Sequence, residues 1–471
     1  MVSTPRVRPV KLLWPLILSA ATSLSGQTPI GVLISEQSRA TFDVQGAGAR
    51  AMGLGGAFIA VADDATAVSF NPAGLAQLLK PEVSFVGRGL SKRLTFQDFE
   101  TTSKGRQLAV SDSLATETRF DPLFISGTIP LRLNGHSLVL QLSMQRQFAL
   151  AESSNRDLTE TDVDGGTPGF VHQRIDQTGQ IDVYSFSMAY EASERILIGA
   201  SYNQWRGRWE LNSESSKQQG DSNTFANYRQ VNSLDGSNFN LGVIWRWPTW
   251  SLGLVRRTPF HADYTFETAL DTNATNVTFK GSPSASYGLH WPASTGIGYA
   301  WRPKERWLLT ADLMHTLWSD ARYMTTNSNL NNLSFFDLDR ANRTPNVTSV
   351  HAGAEYLFLT KKASVVPLRF GLSREPQPLV DRTTGDQRVV FNVAVGSGIK
   401  YKNISLDIAY RYGWDHRATS QFLDVDQLVK ASTVRSRGTE RLEMQRLDIS
   451  FIYQFERQPV ERWLHHMFVG D

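Results

Sequence analysis

Apolar and polar residues alternate one by one along much of this chain. From Ile404 the apolar set is Ile404, Leu406, Ile408, Tyr410 and Tyr412, interleaved with Ser405, Asp407, Ala409, Arg411 and Gly413. From Leu447 one face carries Leu447, Ile449, Phe451, Tyr453 and Phe455, and the other Asp448, Ser450, Ile452 and Gln454. Val389, Phe391, Val393 and Val395 alternate with Asn392, Ala394 and Gly396, and Phe239, Leu241, Val243, Trp245 and Trp247 follow the same period. A helix repeats near 3.6 residues, so a period of two predicts strands. Fourteen candidate strands begin near Glu82, Pro122, His136, Asp182, Arg195, Ser237, Trp250, Trp291, Trp307, Ser349, Val366, Arg388, Ile404 and Leu442.

Alternation alone fits a soluble sandwich and a membrane barrel equally well. The connections separate them. Short joins fall at Arg132–Gly135, Glu191–Glu194, Pro248–Thr249, Pro303–Glu305, Thr360–Ala363 and Tyr401–Asn403. Long ones fall near Ser91–Asp121, Ala151–Gln180, Asn212–Asp235, Asp263–Leu289, Ser319–Asn346, Glu375–Asp386 and Asp415–Glu440. A sandwich has no reason to sort loop length by parity. An outer-membrane barrel has short periplasmic turns, long outer loops and an even strand number. Closure follows because an unpaired strand edge in hydrocarbon costs several kcal/mol per group. Trp245, Trp247 and Trp250 bracket one short join and Trp301 and Trp307 another, as interfacial aromatics would. The expected fold is an all-β, 14-stranded antiparallel transmembrane barrel over residues 81–455.

Two segments break the alternation. At the start, Arg6, Arg8 and Lys11 precede an apolar run from Leu12 to Ala21, then Ser23, Ser25 and Gly26. This is the layout of a cleaved secretory signal peptide over residues 1–26, too short to span as a stable helix. From Val44 to Leu79 the chain is rich in Gly and Ala. Gly46-Ala47-Gly48-Ala49-Arg50-Ala51 matches a dinucleotide fingerprint in part, but no strand precedes it and no βαβ unit surrounds it. Its small residues suit a compact plug, so residues 27–80 are expected to be a leader and a hatch inside the barrel. Gly53, Gly55, Gly56 and Phe58 are candidates for its packing, and Asp63 and Asp64 for its anchoring to interior arginines. Residues 456–471 follow as a periplasmic tail.

Composition narrows the chemistry. The 471 residues are 41% hydrophobic and 20% charged, which excludes a bundle of apolar spanning helices. There is no Cys, hence no disulfide, thiolate metal ligand or thiol nucleophile. A net charge of +3 gives no bulk field for nucleic acid. No G-x-S-x-G, H-E-x-x-H or Walker loop is present, and His465-His466 lies in the tail. No enzyme activity, metal or cofactor is expected.

The residues from Gly48 to Phe58 (Gly-Ala-Arg-Ala-Met-Gly-Leu-Gly-Gly-Ala-Phe), then Ala62-Asp63-Asp64-Ala65 and Asn71-Pro72-Ala73-Gly74, resemble the FadL/OMPP1/TodX family of outer-membrane transport proteins. The resemblance continues in Gly296–Trp301, Leu309–Leu313 with Trp318-Ser319, Leu368–Leu372 leading to Pro376 and Pro378, and Leu406–Tyr410, and it reaches Phe455. It implies a fourteen-stranded barrel with an N-terminal hatch, in the outer membrane of a Gram-negative-type bacterium. It also implies passive uptake of hydrophobic molecules, such as long-chain fatty acids or aromatic hydrocarbons, with passage sideways through an opening in the wall. Outer-membrane lipid and lipopolysaccharide are the expected surroundings, the chain a monomer, and nucleic acid no partner. Asn71, Pro72, Ala73 and Gly74 correspond to the hatch motif, either as a plain turn or with a link to ligand. Secretion-shuttle barrels such as PorV share the plug and its Asn-Pro-Ala block, and binding of secreted proteins through the outer loops is the alternative function.

Apolar burial contributes about 25 cal/mol per Å², so an alkyl chain binds without strong polar contacts. Selection of a fatty acid needs a cation or donor near the carboxylate. Arg369 and Arg411 fall on the polar faces of their strands and are candidates for that anchor, with ion pairing inside the barrel (Asp407) as the competing role. Phe96 and Phe99, in the first long connection, are candidates for a surface that collects greasy solutes.

Overall fold

The computed structural model describes residues 46–103, 106–110, 113–162, 169–273, 284–324, 344–359, 365–380, 387–419 and 435–456. The expected signal peptide, the leader before residue 46, the tail beyond residue 456 and the 360–363 join lie outside the described residues.

Nineteen strand segments make one antiparallel sheet. They are β1 (Glu82–Ser103), β2 (Arg106–Val110), β3 (Ser113–Leu133), β4 (His136–Ala149), β5 (Glu152–Asp162), β6 (Gly169–Ser193), β7 (Ile196–Gln219), β8 (Ser222–Arg246), β9 (Trp250–Arg257) and β10 (Phe260–Thr272). There follow β11 (Ser284–Trp291), β12 (Ser294–Trp301), β13 (Trp307–Thr316), β14 (Arg322–Met324), β15 (Val347–Leu359), β16 (Val365–Val380), β17 (Gln387–Tyr401), β18 (Ile404–Thr419) and β19 (Arg435–Gln454). Fourteen of them are the staves of a closed barrel: β1, β3, β4, β6, β7, β8, β9, β12, β13 and β15 to β19, sealed by β1 against β19. The others prolong staves on the long-loop side, save β2, which makes a hairpin on β1 and pairs with β5.

The alternation sorts the wall as its period requires. Ile404, Leu406, Ile408 and Tyr410 are all more than 40% exposed, while Asp407, Ala409 and Arg411 are buried. Leu142, Phe186, Leu241, Ile297, Leu368 and Val395 point outwards in the same way on other staves. Soluble proteins rarely show contiguous apolar patches beyond a few hundred Å². Here a greasy band faces out and the polar set faces in, as lipid demands. At the short-turn end Trp247 stacks on Trp250 at 4.0 Å, and Trp307, Tyr356 and Phe358 adjoin at 4.9 and 4.7 Å. Asn134 and Lys402 turn two of the short joins at positive φ. Among the described residues no helix is long and apolar enough to cross a membrane.

The long connections differ from expectation. Ser91–Asp121, Ala151–Gln180, Asn212–Asp235 and Asp263–Leu289 are largely strand. β6, β7 and β8 have 25, 24 and 25 residues, where about 9–11 span a bilayer. Beyond the membrane both faces of a strand meet water, so the ladder continues without the apolar period that reveals it in sequence. Phe96 and Phe99 accordingly lie within β1, opposite Glu440 and Val110, rather than in a loop.

Two staves are interrupted. β9 and β10 form one stave interrupted at Thr258-Pro259, and β11 and β12 form another interrupted at Pro292-Ala293. The pairs Phe260 with Trp291 and Arg257 with Ser294 keep one register, so Pro259 and Pro292 face each other. Neither proline has an N–H to give, and the ladder opens there.

Candidate functional site

The leading segment, residues 46–80, lies against the inward faces of the staves. It is built from one short helix, α1 (Ala49–Gly53), and two 3₁₀ turns, Ala65–Ser69 and Pro72–Gln77. Asp64 caps the first turn by accepting from the Thr66 amide at 2.8 Å. Burial pushes the Asp64 carboxyl up, and Arg50 and the Thr66 bonds pull it back. Asn71 caps the second turn, with Pro72 in the first-turn position that needs no N–H. Its oxygen accepts from the Ala73 amide at 3.1 Å, and its Nδ2 lies 3.0, 3.2 and 3.4 Å from the carbonyls of Ile59, Val243 and Leu254. The last two belong to facing residues of β8 and β9. Asn71-Pro72 is thus a turn pinned to the wall.

The wall makes room for this backbone. Gly199 faces Gly242, Gly253 faces Gly298, and Gly353 faces Gly371 across neighbouring staves. A Cβ at Gly253 or Gly353 would stand 2.5 Å from the carbonyl oxygen of Ile59 or Leu54. At Gly242 it would strike the Asn71 side chain, and at Gly371 the Gly55 amide. Buried Asp312 adds a direct clamp: its Oδ2 accepts from the Phe58 and Ile59 amides at 2.6 and 2.8 Å. Ser450 Oγ accepts from the Ala49 amide at 2.7 Å.

One side of the lumen is ionic. Arg50 pairs with Asp63 and, at 3.0 Å, with Glu355. Arg369 joins Glu355 to Asp407, both at 2.6 Å. Arg411 pairs with Glu375, Arg88 with Asp448 at 2.7 Å, and Arg388 with Asp415 at 2.8 Å. His351 Nδ1 donates to the Gly55 carbonyl at 2.7 Å. Buried ion pairs contribute little net stability against desolvation, but losing one partner costs about 3–5 kcal/mol. They therefore fix the seat of the leading segment by penalising other arrangements.

The other side is aromatic. Phe148, Trp205, Phe260, Trp291 and Trp318 form an interior cluster, with ring centroids 5.2–6.4 Å apart. Between this cluster and the leading segment lies a cavity of about 50 Å³. Val68, Ser69, Gln145, Asn203, Asn238, Arg257 and Ser294 line it, with Trp205, Trp291 and Trp318. Pro292 lines it too. Arg257 Nη2 donates to the Ser69 carbonyl at 2.9 Å, which ties the cavity to the leading segment.

The sequence candidates therefore separate. Asn71, Pro72, Ala73 and Gly74 sit in the pinned turn, and Gly53, Gly55, Gly56 and Phe58 sit against Arg369, Leu372, His351 and Asp312. Asp63 faces Arg50 and Arg302, whereas Asp64 is occupied with its cap. Arg369 and Arg411 lie on the inner face as expected, but carboxylates hold both and neither lines the cavity. The side chains of Phe96 and Phe99 lie outside what the structure describes. Asp312, Arg257, the facing glycines and the interior Trp set escaped the sequence. A signal for the glycines existed: they take inward positions of staves otherwise filled by polar groups.

The family described as outer membrane protein transport protein (OMPP1/FadL/TodX) matches residues 31–455. Among solved structures, a Pseudomonas aeruginosa FadL homologue superposes with a TM-score of 0.66 at 14% identity, covering 88% of this chain and 100% of that one. The P. putida toluene transporter TodX gives 0.54 at 14% identity, over 88% and 100%. The monoaromatic hydrocarbon channel CymD gives 0.50 at 15%, over 88% and 99%. No curated protein matches the sequence. The secretion-shuttle alternative is not favoured by these relatives. At such identities the structures establish the fold, and the family match covers most of the sequence: the chain belongs to the OMPP1/FadL/TodX family of outer-membrane transport proteins.

Proposed function

We propose that this protein is an outer-membrane channel for passive uptake of hydrophobic molecules, with residues 46–80 acting as a hatch. The observation that carries the proposal is the occupied lumen. An open porin would offer a water-filled passage, which does not help a solute that avoids water. Here the lumen holds the leading segment and an aromatic cluster, and the cavity between them measures about 50 Å³. Ordinary ligand pockets measure about 300–1,000 Å³. A solute therefore enters by displacing apolar groups that re-solvate it as it moves.

The aromatic side of the lumen is the favoured route, because an apolar solute among the ion pairs of the other side would strip charges of partners. Relatives described as a toluene transporter and a monoaromatic hydrocarbon channel support a hydrophobic cargo. The test is uptake of labelled oleate and toluene by cells with and without this protein. Faster uptake of at least one solute with the protein present is expected, and equal uptake for every apolar solute tried overturns the proposal.

A further inference from the structure

Two histidines meet on the outer face of the wall, beside the interruption in its ladder. His261 on β10 and His290 on β11 are direct cross-strand partners. Their strand neighbours Phe260, Ala262, Leu289 and Trp291 are buried on the inner side, so both rings point away from the lumen. β9 runs from Trp250 at the short-turn end to Arg257, and about 9–11 residues span a bilayer, so His261 stands at the outer margin of the greasy band, within reach of water. The Nδ1 of His290 lies 3.4 Å from the Nε2 of His261, with ring centroids 4.9 Å apart and planes at 59°. That separation is long for a hydrogen bond, which ordinarily measures about 2.7–3.2 Å. It is the separation of two ligands on one ion: metal–nitrogen bonds of about 2.0–2.1 Å at the tetrahedral angle hold their nitrogens about 3.3–3.4 Å apart.

We propose that His261 and His290 form a two-imidazole site for a divalent transition metal, with Zn²⁺ the best fit, and that the ion staples two staves across the gap in their ladder. Imidazole suits Zn²⁺ and Cu²⁺, whereas Mg²⁺ and Ca²⁺ take oxygen ligands. Among the described residues no three histidine or acidic groups converge, so the protein supplies two ligands and water completes the shell. The surrounding charges are close to balance. Arg322 stands opposite His290 on β14, Asp320 is near enough to act on the same ring, and Asp263 lies exposed two positions along from His261. The pair also sits where the wall lacks a brace. No ladder pair joins the two staves between Phe260–Trp291 and Arg257–Ser294, where Pro259 and Pro292 interrupt them. A chelate through His261 and His290 ties the same two staves immediately beyond that break. The two histidines are 29 positions apart, so no short ligand motif marks them in sequence.

The test is titration calorimetry of Zn²⁺ into the purified full-length protein in detergent, after treatment with a chelator. Every protein used carries His465→Ala and His466→Ala, so that the histidine pair of the tail does not compete. One Zn²⁺ per chain is expected, with a dissociation constant on the order of 10 µM, since two ligands hold the ion far more weakly than four. His261→Ala and His290→Ala are each expected to weaken binding at least about tenfold. His172→Ala and His315→Ala are expected to leave it unchanged, and Mg²⁺ not to compete. The staple is read separately: saturating Zn²⁺ should raise the temperature of the heat-dependent gel shift in the parent and in neither wall variant. If a variant fails to fold, electron paramagnetic resonance of the parent with one equivalent of Cu²⁺ still decides, and two equatorial imidazole nitrogens are expected. Absence of stoichiometric Zn²⁺ below about 1 mM, binding that survives both wall substitutions, or fewer than two nitrogens on Cu²⁺ overturns the site. Binding without a thermal shift overturns the staple.

Discussion

Asn71 and Asp312 each satisfy more than one backbone group of the seat. Asn71 both caps its own turn and reaches two wall carbonyls, and Asp312 takes two consecutive amides of the leading segment. Hydrogen bonds to a charged acceptor contribute about 1.5–3 kcal/mol, and a buried orphan group costs about 1–3. Asp312→Ala leaves the Phe58 and Ile59 amides unpaired, so the leading segment should open at least about tenfold more often. Arg50 supplies the assay, because its peptide bond is buried in the seat and open to trypsin once the segment leaves. Faster cleavage after Arg50 in Asp312→Ala, with the barrel still folded by heat-dependent gel migration, is the expected result. Residue chemistry of this kind was only half legible. Asn before Pro announced a pinned turn, but nothing local to Asp312 marks it, since its partners lie 254 and 253 positions away.

The facing glycines make the wall a negative of the leading segment at the scale of elements. Two glycines opposite one another on adjacent staves remove a pair of side chains and open a trough one backbone wide. Gly371→Val fills that trough where the Gly55 amide lies. It should leave β16 in register, because a β-branched residue suits a strand, yet unseat the segment beside it. The expected readout is a rise in single-channel conductance in planar bilayers, with the circular dichroism of wild type. An unchanged conductance would mean that the leading segment accommodates the added methyls. Strand existence was legible wherever lipid imposed a period of two. Strand length was not, because β6 to β8 continue into water, where both faces are polar and sequence alternation carries no signal.

The whole molecule inverts the arrangement of a soluble protein. Ile125, Leu142, Phe186, Val395 and Ile408 are 46–66% exposed, while Asp448, Arg411 and Asn71 are at most 2% exposed. Water on the outer band would meet about 25 cal/mol of penalty per apolar Å². The protein should therefore stay monodisperse only in surfactant or bilayer, and aggregate when detergent is diluted below its micellar concentration. Size-exclusion chromatography with and without detergent measures this, and a stable monomer in plain buffer would contradict the assigned orientation of the wall.

Local periodicity determined which residues face lipid, how many staves there are and where the described short turns fall, because each depends on neighbours two positions apart. The small-residue run before β1 likewise announced a segment built for close packing. Tertiary structure alone decided which charges are matched. Arg369 and Arg411 were candidates for a ligand anchor or for ion pairing, and the register of neighbouring staves brought Glu355, Asp407 and Glu375 to them. The fold likewise set Arg257 beside the cavity, where it donates to the Ser69 carbonyl. A strand's own sequence sets the direction of a side chain; what stands beside it on the inner wall depends on the register of other strands.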